Sequence, residues 1–224
     1  MSFATYPDRA ALMAGLAAQI AGELAEVLKV QERATLAVPG GTTPGPIFDQ
    51  LCLADLPWDR INVMLTDERW VEESSDRSNT ALLKKRLLRE NAAAATLIPL
   101  YASADAPEDR LDELTAGVNA VLPLSVVVLG MGADMHTASL FPGADQLDAA
   151  LADDAAPLYA MRAPGAPEPR MTLSAPALAN APHIHILITG DEKRAAYDTA
   201  KSLNDPHAAP VCAVLGQATV HWAE

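Results

Sequence analysis

The sequence has 224 residues, of which 50% are hydrophobic and 20% charged, so the chain can bury a sizeable core. Its formal net charge of −13 argues against binding to nucleic acid or to an anionic membrane surface, because both attract basic proteins. A small anionic ligand is not excluded, since a local cluster of basic groups sets the electrostatic potential of a single pocket.

The N-terminal stretch MSFATYPDRAALMAGLAAQI lacks the basic start, apolar centre and cleavage site of a secretory signal. By inspection, no run approaches the roughly 18 apolar residues of a membrane span. Cys52 and Cys212 form no Cys-x-x-Cys pair, and two cysteines in a chain of this length do not suggest a disulfide framework. We therefore expect two small buried thiols and a cytoplasmic protein.

The first half of the chain alternates predicted helices and strands. Asp8 can cap a helix whose apolar residues recur at three- and four-residue spacing, namely Leu12, Leu16, Ile20, Leu24 and Val27. TLAVPGG (35–41) predicts a strand that ends in a glycine turn, and Pro44 opens a helix carrying Ile47, Phe48 and Leu51. INVML (61–65) predicts the next strand, and a helix follows around 82–88.

The second half repeats this alternation. LIPLY (97–101) predicts a strand, Asp105 and Pro107 open a helix through 118, and VVVLG (126–130) predicts another strand. HIHILITG (183–190) runs into a helix, and TVHWA (219–223) predicts a final edge strand. The Pro-rich segment 162–170 is too short for a domain linker. We expect one α/β domain over 1–224, with a mainly parallel sheet and helices on both faces.

Ligands of such sheets bind at the carboxyl ends of the strands, where four loops carry unusual residues. In PGGTTPG (39–45), two glycines let backbone N–H groups converge, which suits a phosphate group. The loop lacks the Gly-Lys-Ser/Thr ending of a Walker motif. A tight turn with capping threonines is the alternative interpretation.

The second loop, TDERWV (66–71), places two carboxylates and a guanidinium directly after a buried strand. Arg69 could bind a carbonyl oxygen or an oxyanion, and Asp67 could orient a water molecule or an imidazole. A solvated acidic turn is the alternative.

The third loop follows VVVLG and reads GMGADMHTASLFPG (130–143). It begins like a dinucleotide-binding fingerprint, but Met135 occupies the third glycine position, so that interpretation is weak. His136 stands beyond Asp134 at the glycine turn, and the reference pKa of histidine suits a group that accepts a proton from water. Thr137 is expected to cap a following helix. A purely structural histidine is the alternative.

The fourth set of residues is basic. Arg170 of RMTL and Lys193 of TGDEK can add positive charge around a phosphate, or else form surface salt bridges. His183 and His185 lie two residues apart, so they share one face of a strand. No third ligand stands at a telling spacing, and we expect buried or interfacial histidines rather than a metal site.

These loops, in this order, resemble those of the 6-phosphogluconolactonase family, hydrolases related to glucosamine-6-phosphate deaminases. The matching pieces span residues 39–193 and are PGGTTP, TDERWV with the SN of SSDRSN, LGMGADMHTASLFPG, RMTL and TGDEK. The resemblance implies a Rossmann-like α/β/α sandwich of the sugar-phosphate isomerase type. It also implies hydrolysis of 6-phospho-D-glucono-1,5-lactone to 6-phospho-D-gluconate in the pentose phosphate pathway, without a metal or other cofactor.

The resemblance further implies roles for individual residues. It places the general base at His136 and the family's Asp-Glu-Arg motif at Asp67, Glu68 and Arg69. For the mechanism we expect that Asp134 or Asp67 orients the imidazole and that Arg69 holds developing charge. The implied phosphate contacts are Gly40, Gly41, Thr42, Arg170 and Lys193.

Two residues depart from the family pattern. Met135 stands where glycine is usual, so a positive φ at this position would strain the backbone by about 1 kcal/mol or more. Pro39 stands where serine is common, so one hydroxyl contact to the phosphate would be absent.

Two rival functions stay open. In an amino-sugar phosphate deaminase or isomerase, a carboxylate and an asparagine follow the histidine, whereas this chain has TASLFP there. A non-catalytic sugar-phosphate-binding protein would keep the pocket without the reaction. As partners we expect a phosphorylated sugar lactone, neither nucleic acid nor membrane, and a monomer or small homo-oligomer.

Overall fold

The computed structural model describes residues 2–224. The strands are β1 Ser2–Thr5, β2 Ala34–Val38, β3 Ile61–Leu65, β4 Asp67–Arg69, β5 Thr96–Ile98, β6 Val126–Gly130, β7 Leu158–Met161, β8 Arg170–Leu173, β9 His183–Thr189 and β10 Thr219–Ala223. The helices are α1 Arg9–Val30, α2 Gly45–Leu51, α3 Asn79–Arg86, α4 Leu111–Asn119, α5 Leu147–Leu151, α6 Ala175–Ala179, α7 Gly190–Leu203 and α8 Cys212–Leu215. Short 3₁₀ turns occupy Trp58–Arg60, Glu90–Ala94 and Pro107–Arg110.

Seven strands form the main sheet in the order β1-β10-β9-β6-β2-β3-β5, and every neighbouring pair is parallel. All residues of β2 and β3 are buried, as expected for strands covered on both faces. The predicted mainly parallel α/β fold is confirmed. Pairing of Val38 with Leu65 and of Gly130 with Leu187 brings several strand ends to one edge of the sheet.

A second, antiparallel sheet has the order β4-β8-β7 and was not predicted. The TDER segment was interpreted as a loop, but its last three residues form β4, one residue after β3 ends. Arg69 lies opposite Arg170 in the β4–β8 pair. Since opposed residues of an antiparallel pair point to the same side, this small sheet places two guanidinium groups next to each other.

Helix α1 packs across the main sheet and against α2. The expected cap is present, because the Asp8 carboxylate accepts a hydrogen bond from the Ala11 N–H at 2.8 Å. By length and composition alone α1 would qualify as a membrane span, so the view that no apolar run is long enough was wrong. Its residues Leu12, Leu16 and Ile20 are nevertheless fully buried inside the protein, as in the core helix of a globular fold.

Three local predictions were also wrong. TVHWA forms β10, which lies between β1 and β9 rather than at an edge, and the edge strand β1 was missed. No helix begins at Thr137, whose hydroxyl donates to the Gly130 carbonyl at 2.9 Å within the loop itself. LIPLY keeps strand pairing only as far as Ile98, because Pro99 follows and has no N–H to donate.

The histidines of β9 and β10 belong to a buried polar chain. Tyr6 Oη lies 2.9 Å from His221 Nδ1, His221 Nε2 lies 3.0 Å from His185 Nδ1, and His185 Nε2 lies 2.7 Å from Glu23 Oε2. His183 Nδ1 lies 3.6 Å from the other Glu23 oxygen. The Glu23 carboxylate can only accept, so His185 Nε2–H donates to it. His221 Nε2–H can then donate to His185 Nδ1, and the Tyr6 hydroxyl can donate to His221 Nδ1, with both imidazoles neutral. These histidines are therefore structural.

Candidate active site

A cleft of about 230 Å³ opens where the carboxyl ends of β2 and β6 face the small sheet. It brings together most of the predicted site residues, although they are far apart in the chain. Its lining comprises Pro39, Gly40, Gly41, Asp67, Arg69, Asn79, Gly130, Met131, Gly132, His136, Ala138, Arg170 and Lys193.

His136 and Asp134 form a hydrogen-bonded pair at the edge of the cleft. The distance from His136 Nδ1 to Asp134 Oδ1 is 2.5 Å, and the same oxygen accepts the His136 backbone N–H at 3.3 Å. With Nδ1–H donating to the carboxylate, the neutral ring carries its lone pair on Nε2. The His136 side chain is 29% exposed, so solvent reaches the ring. The pair can therefore accept a proton from a water molecule.

Gly132 makes room for this pair. A Cβ built on Gly132 would lie 2.2 Å from both Asp134 Oδ1 and His136 Nδ1, a distance that no side chain tolerates. The loop closes through a hydrogen bond from the Gly132 N–H to the His136 carbonyl at 2.9 Å. The glycine that suggested a nucleotide fingerprint thus has a different purpose, because it lets the acid–imidazole pair lie against the backbone.

The turn is also strained on either side of His136. Met135 has φ 66° and Ala138 has φ 48°, values in the left-handed region that residues with a Cβ rarely adopt. Met135 therefore has the positive φ that strains a residue other than glycine. The chain keeps the bend although it lacks glycine there.

The glycine loop after β2 approaches the side chain of Asn79. A Cβ on Gly40 would lie 2.0 Å from Asn79 Cγ, so glycine is required for the two segments to meet. Gly41 has φ 81°, which also favours glycine. Asn79 Nδ2 in turn donates to the Asp67 carbonyl at 3.3 Å, which ties the glycine loop to β4.

Asp67 lies in a buried polar cluster on the opposite wall. Its Oδ2 accepts a hydrogen bond from Ser139 Oγ at 2.6 Å and lies 3.6 Å from Arg170 Nη1. The side chains of Asp67 and Arg170 are only 10% and 13% exposed. Asp67 therefore holds Arg170, whereas Asp134 is the carboxylate that contacts His136.

Arg69 and Arg170 both line the cleft, and among the described residues each keeps one donor without a hydrogen-bond partner. The Nε atoms of both are buried, and neither finds a hydrogen-bond partner within residues 2–224. Burial lowers the pKa of the Arg170 guanidinium; the nearby Asp67 carboxylate opposes this shift, and the positive charge of Arg69 adds to it. Two adjacent cations with free N–H groups favour an anionic or strongly polar ligand.

Lys193 completes the positive side of the cleft. It lies in the first turn of α7 and lines both the cleft and an adjoining cavity of about 160 Å³ that contains Thr43. Its ammonium group makes no ion pair in the described part of the chain. Thr42 is exposed and lines a separate cavity, so the structure does not bring it together with the other predicted residues.

Glu68, the middle residue of the DER segment, points away from the cleft. Its carboxylate is buried and accepts hydrogen bonds from the backbone N–H groups of Asn79 and Thr80, at 2.9 and 2.6 Å, and from the Thr80 hydroxyl at 2.7 Å. It therefore caps the N-terminus of α3 and holds that helix against β4.

Three residues of this site were not predicted from the sequence, namely Asn79, Ser139 and Phe141. The SN of SSDRSN was noted as a matching piece, so a signal existed for Asn79. Ser139 and Phe141 follow His136 in a stretch taken for the start of a helix, and their contacts with Asp67 and His136 link residues that no local pattern connects.

The SSDRSN segment and the Pro-rich segment 162–170 contact each other. Arg77 of SSDRSN forms a two-point ion pair with Glu168 of the Pro-rich segment, and the Arg77 carbonyl accepts a hydrogen bond from Arg69 at 2.9 Å. The segments are therefore linked to each other and to the guanidinium that lines the cleft.

Comparison with known proteins points to one family. The sequence model of the family "Glucosamine-6-phosphate isomerases/6-phosphogluconolactonase" matches residues 7–222. A 6-phosphogluconolactonase of Mesorhizobium japonicum is 41% identical over 225 residues, which cover 97% of this chain and 93% of that protein. One from Pseudomonas aeruginosa is 40% identical over 211 residues, covering 93% of this chain and 89% of that protein.

Solved structures show the same fold. The crystal structure of a 6-phosphogluconolactonase from Shewanella baltica superposes with a TM-score of 0.96 at 34% identity, covering 100% of this chain and 98% of that one. A monomeric glucosamine-6-phosphate deaminase superposes with a TM-score of 0.82 at 16% identity, over 99% of this chain and 97% of that one. This second likeness shows a shared fold alone. The chain belongs to the family of glucosamine-6-phosphate isomerases and 6-phosphogluconolactonases.

Proposed function

We propose that the protein hydrolyses 6-phospho-D-glucono-1,5-lactone to 6-phospho-D-gluconate, the second step of the oxidative pentose phosphate pathway. The observation that carries the proposal is the Asp134–His136 pair, which faces a cleft lined by Arg69, Arg170 and Lys193. An ester to be hydrolysed needs a base, and a phosphorylated substrate needs positive charge at a distance from that base. The names of the relatives support the same substrate.

In the proposed binding mode, the phosphate lies against the glycine loop and the basic side chains. Gly40 and Gly41 would offer backbone N–H groups, and Lys193 and Arg170 would supply the charge. Thr42 is left out, because it is exposed and lines a separate cavity. Pro39 stands where the family pattern has serine, so it offers the phosphate no hydroxyl group.

In the proposed reaction, His136 Nε2 removes a proton from a water molecule as the water oxygen attacks the lactone carbonyl carbon. The Asp134 carboxylate accepts a hydrogen bond from His136 Nδ1–H and stabilises the imidazolium. Arg69 donates to the carbonyl oxygen as negative charge develops on it. When the bond between that carbon and the ring oxygen breaks, His136 returns the proton to the ring oxygen. Asp67 keeps Arg170 in place.

The surroundings of His136 disfavour the deaminase alternative. Within residues 2–224, Asp134 is the one carboxylate paired with the imidazole, and Phe141 covers a face of the ring. The second carboxylate expected for the amino-sugar enzymes is therefore missing next to the base. Incubation with glucosamine 6-phosphate should release no ammonia.

We also propose that residues 1–224 act as one catalytic domain in the cytoplasm, as a monomer or small homo-oligomer. The buried position of α1 supports this, since its apolar face is already covered by the sheet and by α2.

The proposal is tested by acid release from freshly prepared 6-phosphoglucono-δ-lactone. The His136→Asn variant should lower kcat by about 10²–10⁴ and leave the fold intact, because the base is lost while the phosphate contacts remain. His207→Asn is the matched control, since His207 is 63% exposed and does not line the cleft.

Two outcomes would contradict the proposal in different ways. Near-normal turnover by His136→Asn would remove His136 from the mechanism. Lactone decay at the spontaneous rate with the unmodified protein would favour a non-catalytic sugar-phosphate-binding protein, which should still bind 6-phosphogluconate in a calorimetric titration.

A further inference from the structure

The aromatic ring of Phe141 lies against His136. The two ring centroids are 4.2 Å apart, and the ring planes are inclined by 33°. The same phenyl ring lies 5.3 Å from the guanidinium carbon of Arg170. Phe141 is half-buried and follows the Thr137–Leu140 bridge, so its backbone position is set by the loop that carries the histidine.

The hydrogen bond to Asp134 does not by itself fix the imidazole. A single contact at Nδ1 holds one atom and leaves the ring free to turn about the side-chain torsions χ1 and χ2 as far as the surrounding packing allows. The Asp134 side chain is also 53% exposed, so it is not clamped by packing. A flat ring at stacking distance removes this freedom, because rotation of the imidazole would drive its atoms into the phenyl face.

The charge of the cleft gives the phenyl ring a second effect. In the proposed mechanism His136 becomes positive for part of the reaction, beside Asp134 and in a cleft that also contains Arg69, Arg170, Lys193 and Asp67. Those three cations outweigh the two carboxylates. The face of an aromatic ring attracts a cation, so Phe141 favours the imidazolium without adding a charge that would compete for the phosphate.

We infer that Phe141 is a positioning residue for the hydrolysis: it holds the His136 imidazole in the orientation that directs Nε2 to the attacking water, and its ring stabilises the imidazolium. This inference rests on the proposed function. It adds a residue that acts through the base rather than on the substrate, so it should affect kcat more than KM.

The first experiment compares Phe141→Leu with Phe141→Tyr. Leucine keeps apolar volume and loses the ring, and its kcat should fall about five- to thirtyfold with KM changed less than about twofold. Tyrosine keeps the ring and should retain more than about half of kcat. Phe3→Leu is the matched control, because Phe3 makes an analogous contact with Tyr197 and Arg194 outside the cleft.

The second experiment repeats Phe141→Leu in a His136→Asn background. If Phe141 acts through the imidazole, the second substitution should lower the residual rate less than about twofold. NMR gives a reading that does not depend on turnover. The His136 ring protons should show a ring-current shift that is kept in Phe141→Tyr and lost in Phe141→Leu.

Several results would overturn the inference. They are a Phe141→Leu kcat equal to that of the unmodified protein, a Phe141→Tyr variant as slow as Phe141→Leu, a change confined to KM, or an undiminished loss in the His136→Asn background. Circular dichroism checks folding, and Phe141→Met replaces Phe141→Leu if the latter is unfolded. Absent lactonase activity in the unmodified protein would instead refute the proposed function, and the NMR comparison would still test the ring contact.

Discussion

Met135 carries a left-handed backbone conformation in a position where a glycine would be free of strain. Its φ of 66° is held by a hydrogen bond from its own N–H to the Gly132 carbonyl, at 3.0 Å, and by one from Val211 N–H to its carbonyl, at 3.1 Å. The side chain is half-buried against the core. The bend that presents His136 is therefore imposed by the loop and its neighbours, and the Met135 side chain is tolerated there at a cost of about 1 kcal/mol or more.

Alanine usually gives a more stable protein than glycine, but the strain at Met135 predicts the opposite order at this position. Met135→Gly should be more stable than Met135→Ala by about 1 kcal/mol, because both lack the long side chain and alanine alone has a Cβ in the left-handed region. Urea unfolding measures the difference. The control is Ala14→Gly, at an exposed position inside α1, where glycine should lower stability by about 1 kcal/mol. A Met135→Ala variant at least as stable as Met135→Gly would show that the turn is not strained.

Among the secondary-structure elements, β4 (the DER segment) contributes both to the cleft and to the attachment of α3. Asp67 and Arg69 line the cleft, while Glu68 between them accepts three hydrogen bonds from the first residues of α3. Glu68 is only 1% exposed, so these bonds form out of contact with water. The strand that supplies two site residues is thus attached to a helix through the third.

Replacing Glu68 should therefore affect stability. Glu68→Gln keeps the shape but turns an amide NH₂ toward backbone N–H groups, so the free energy of unfolding should fall by about 2–3 kcal/mol. Glu73→Gln is the matched control, because the Glu73–Lys84 pair lies on the surface and its loss should cost less than about 1 kcal/mol. Denaturant unfolding of both variants gives the comparison, and equal losses would contradict the capping role.

The long elements followed from the sequence, and the short ones did not. Buried runs such as INVML and VVVLG identify strands because a parallel sheet hides both faces, and the main sheet contains both of these strands. β4 has three residues, all polar or charged, and its partner β8 lies about 100 residues away in the chain. No local periodicity marks such a pairing, because it depends on tertiary contacts.

For the whole molecule, the common direction of the strands determines how much of the site could be predicted. Parallel strands bring their carboxyl ends to one edge, so the convergence of the glycine loop, His136 and Lys193 could be expected from the order of the loops. The separate contacts of Asp134 with His136 and of Asp67 with Arg170 could not be expected. They depend on Ser139 and Arg170, which reach Asp67 from other segments of the chain.

The buried chain of Tyr6, His221, His185 and Glu23 links the N-terminal part of the protein to β9 and β10. Burial lowers the pKa of His221 to about 4, and the neighbouring His185 adds to this shift. Burial works against the Glu23 carboxylate, but the hydrogen bond that His185 donates acts in the opposite direction, and the pKa of Glu23 is lowered. Both shifts mean that protons bind more readily to the unfolded chain.

The direction of the resulting pH dependence follows from the lowered pKa of His221. The stability that neutral His221 contributes is fully present above the ordinary histidine pKa of 6.5 and is lost as the pH falls toward about 4. The free energy of unfolding should therefore drop by about 3 kcal/mol over that interval. Urea unfolding at pH 7, 6, 5 and 4 measures the slope.

The comparison variants separate the buried chain from other titrating groups. His221→Gln should flatten the slope, whereas His207→Gln, at an exposed position, should leave it unchanged. A stability that rises on acidification, or a slope that His221→Gln does not alter, would contradict the assignment to His221.

The alternation of side chains along β4 limits how this enzyme can diverge. Because neighbouring residues of a strand point to opposite sides, inserting or deleting one residue in the TDER segment would exchange its two faces. The charges of the cleft and the anchor of α3 would then be lost together. A change in the length of this segment would therefore disturb the lining of the cleft and the attachment of α3 at the same time.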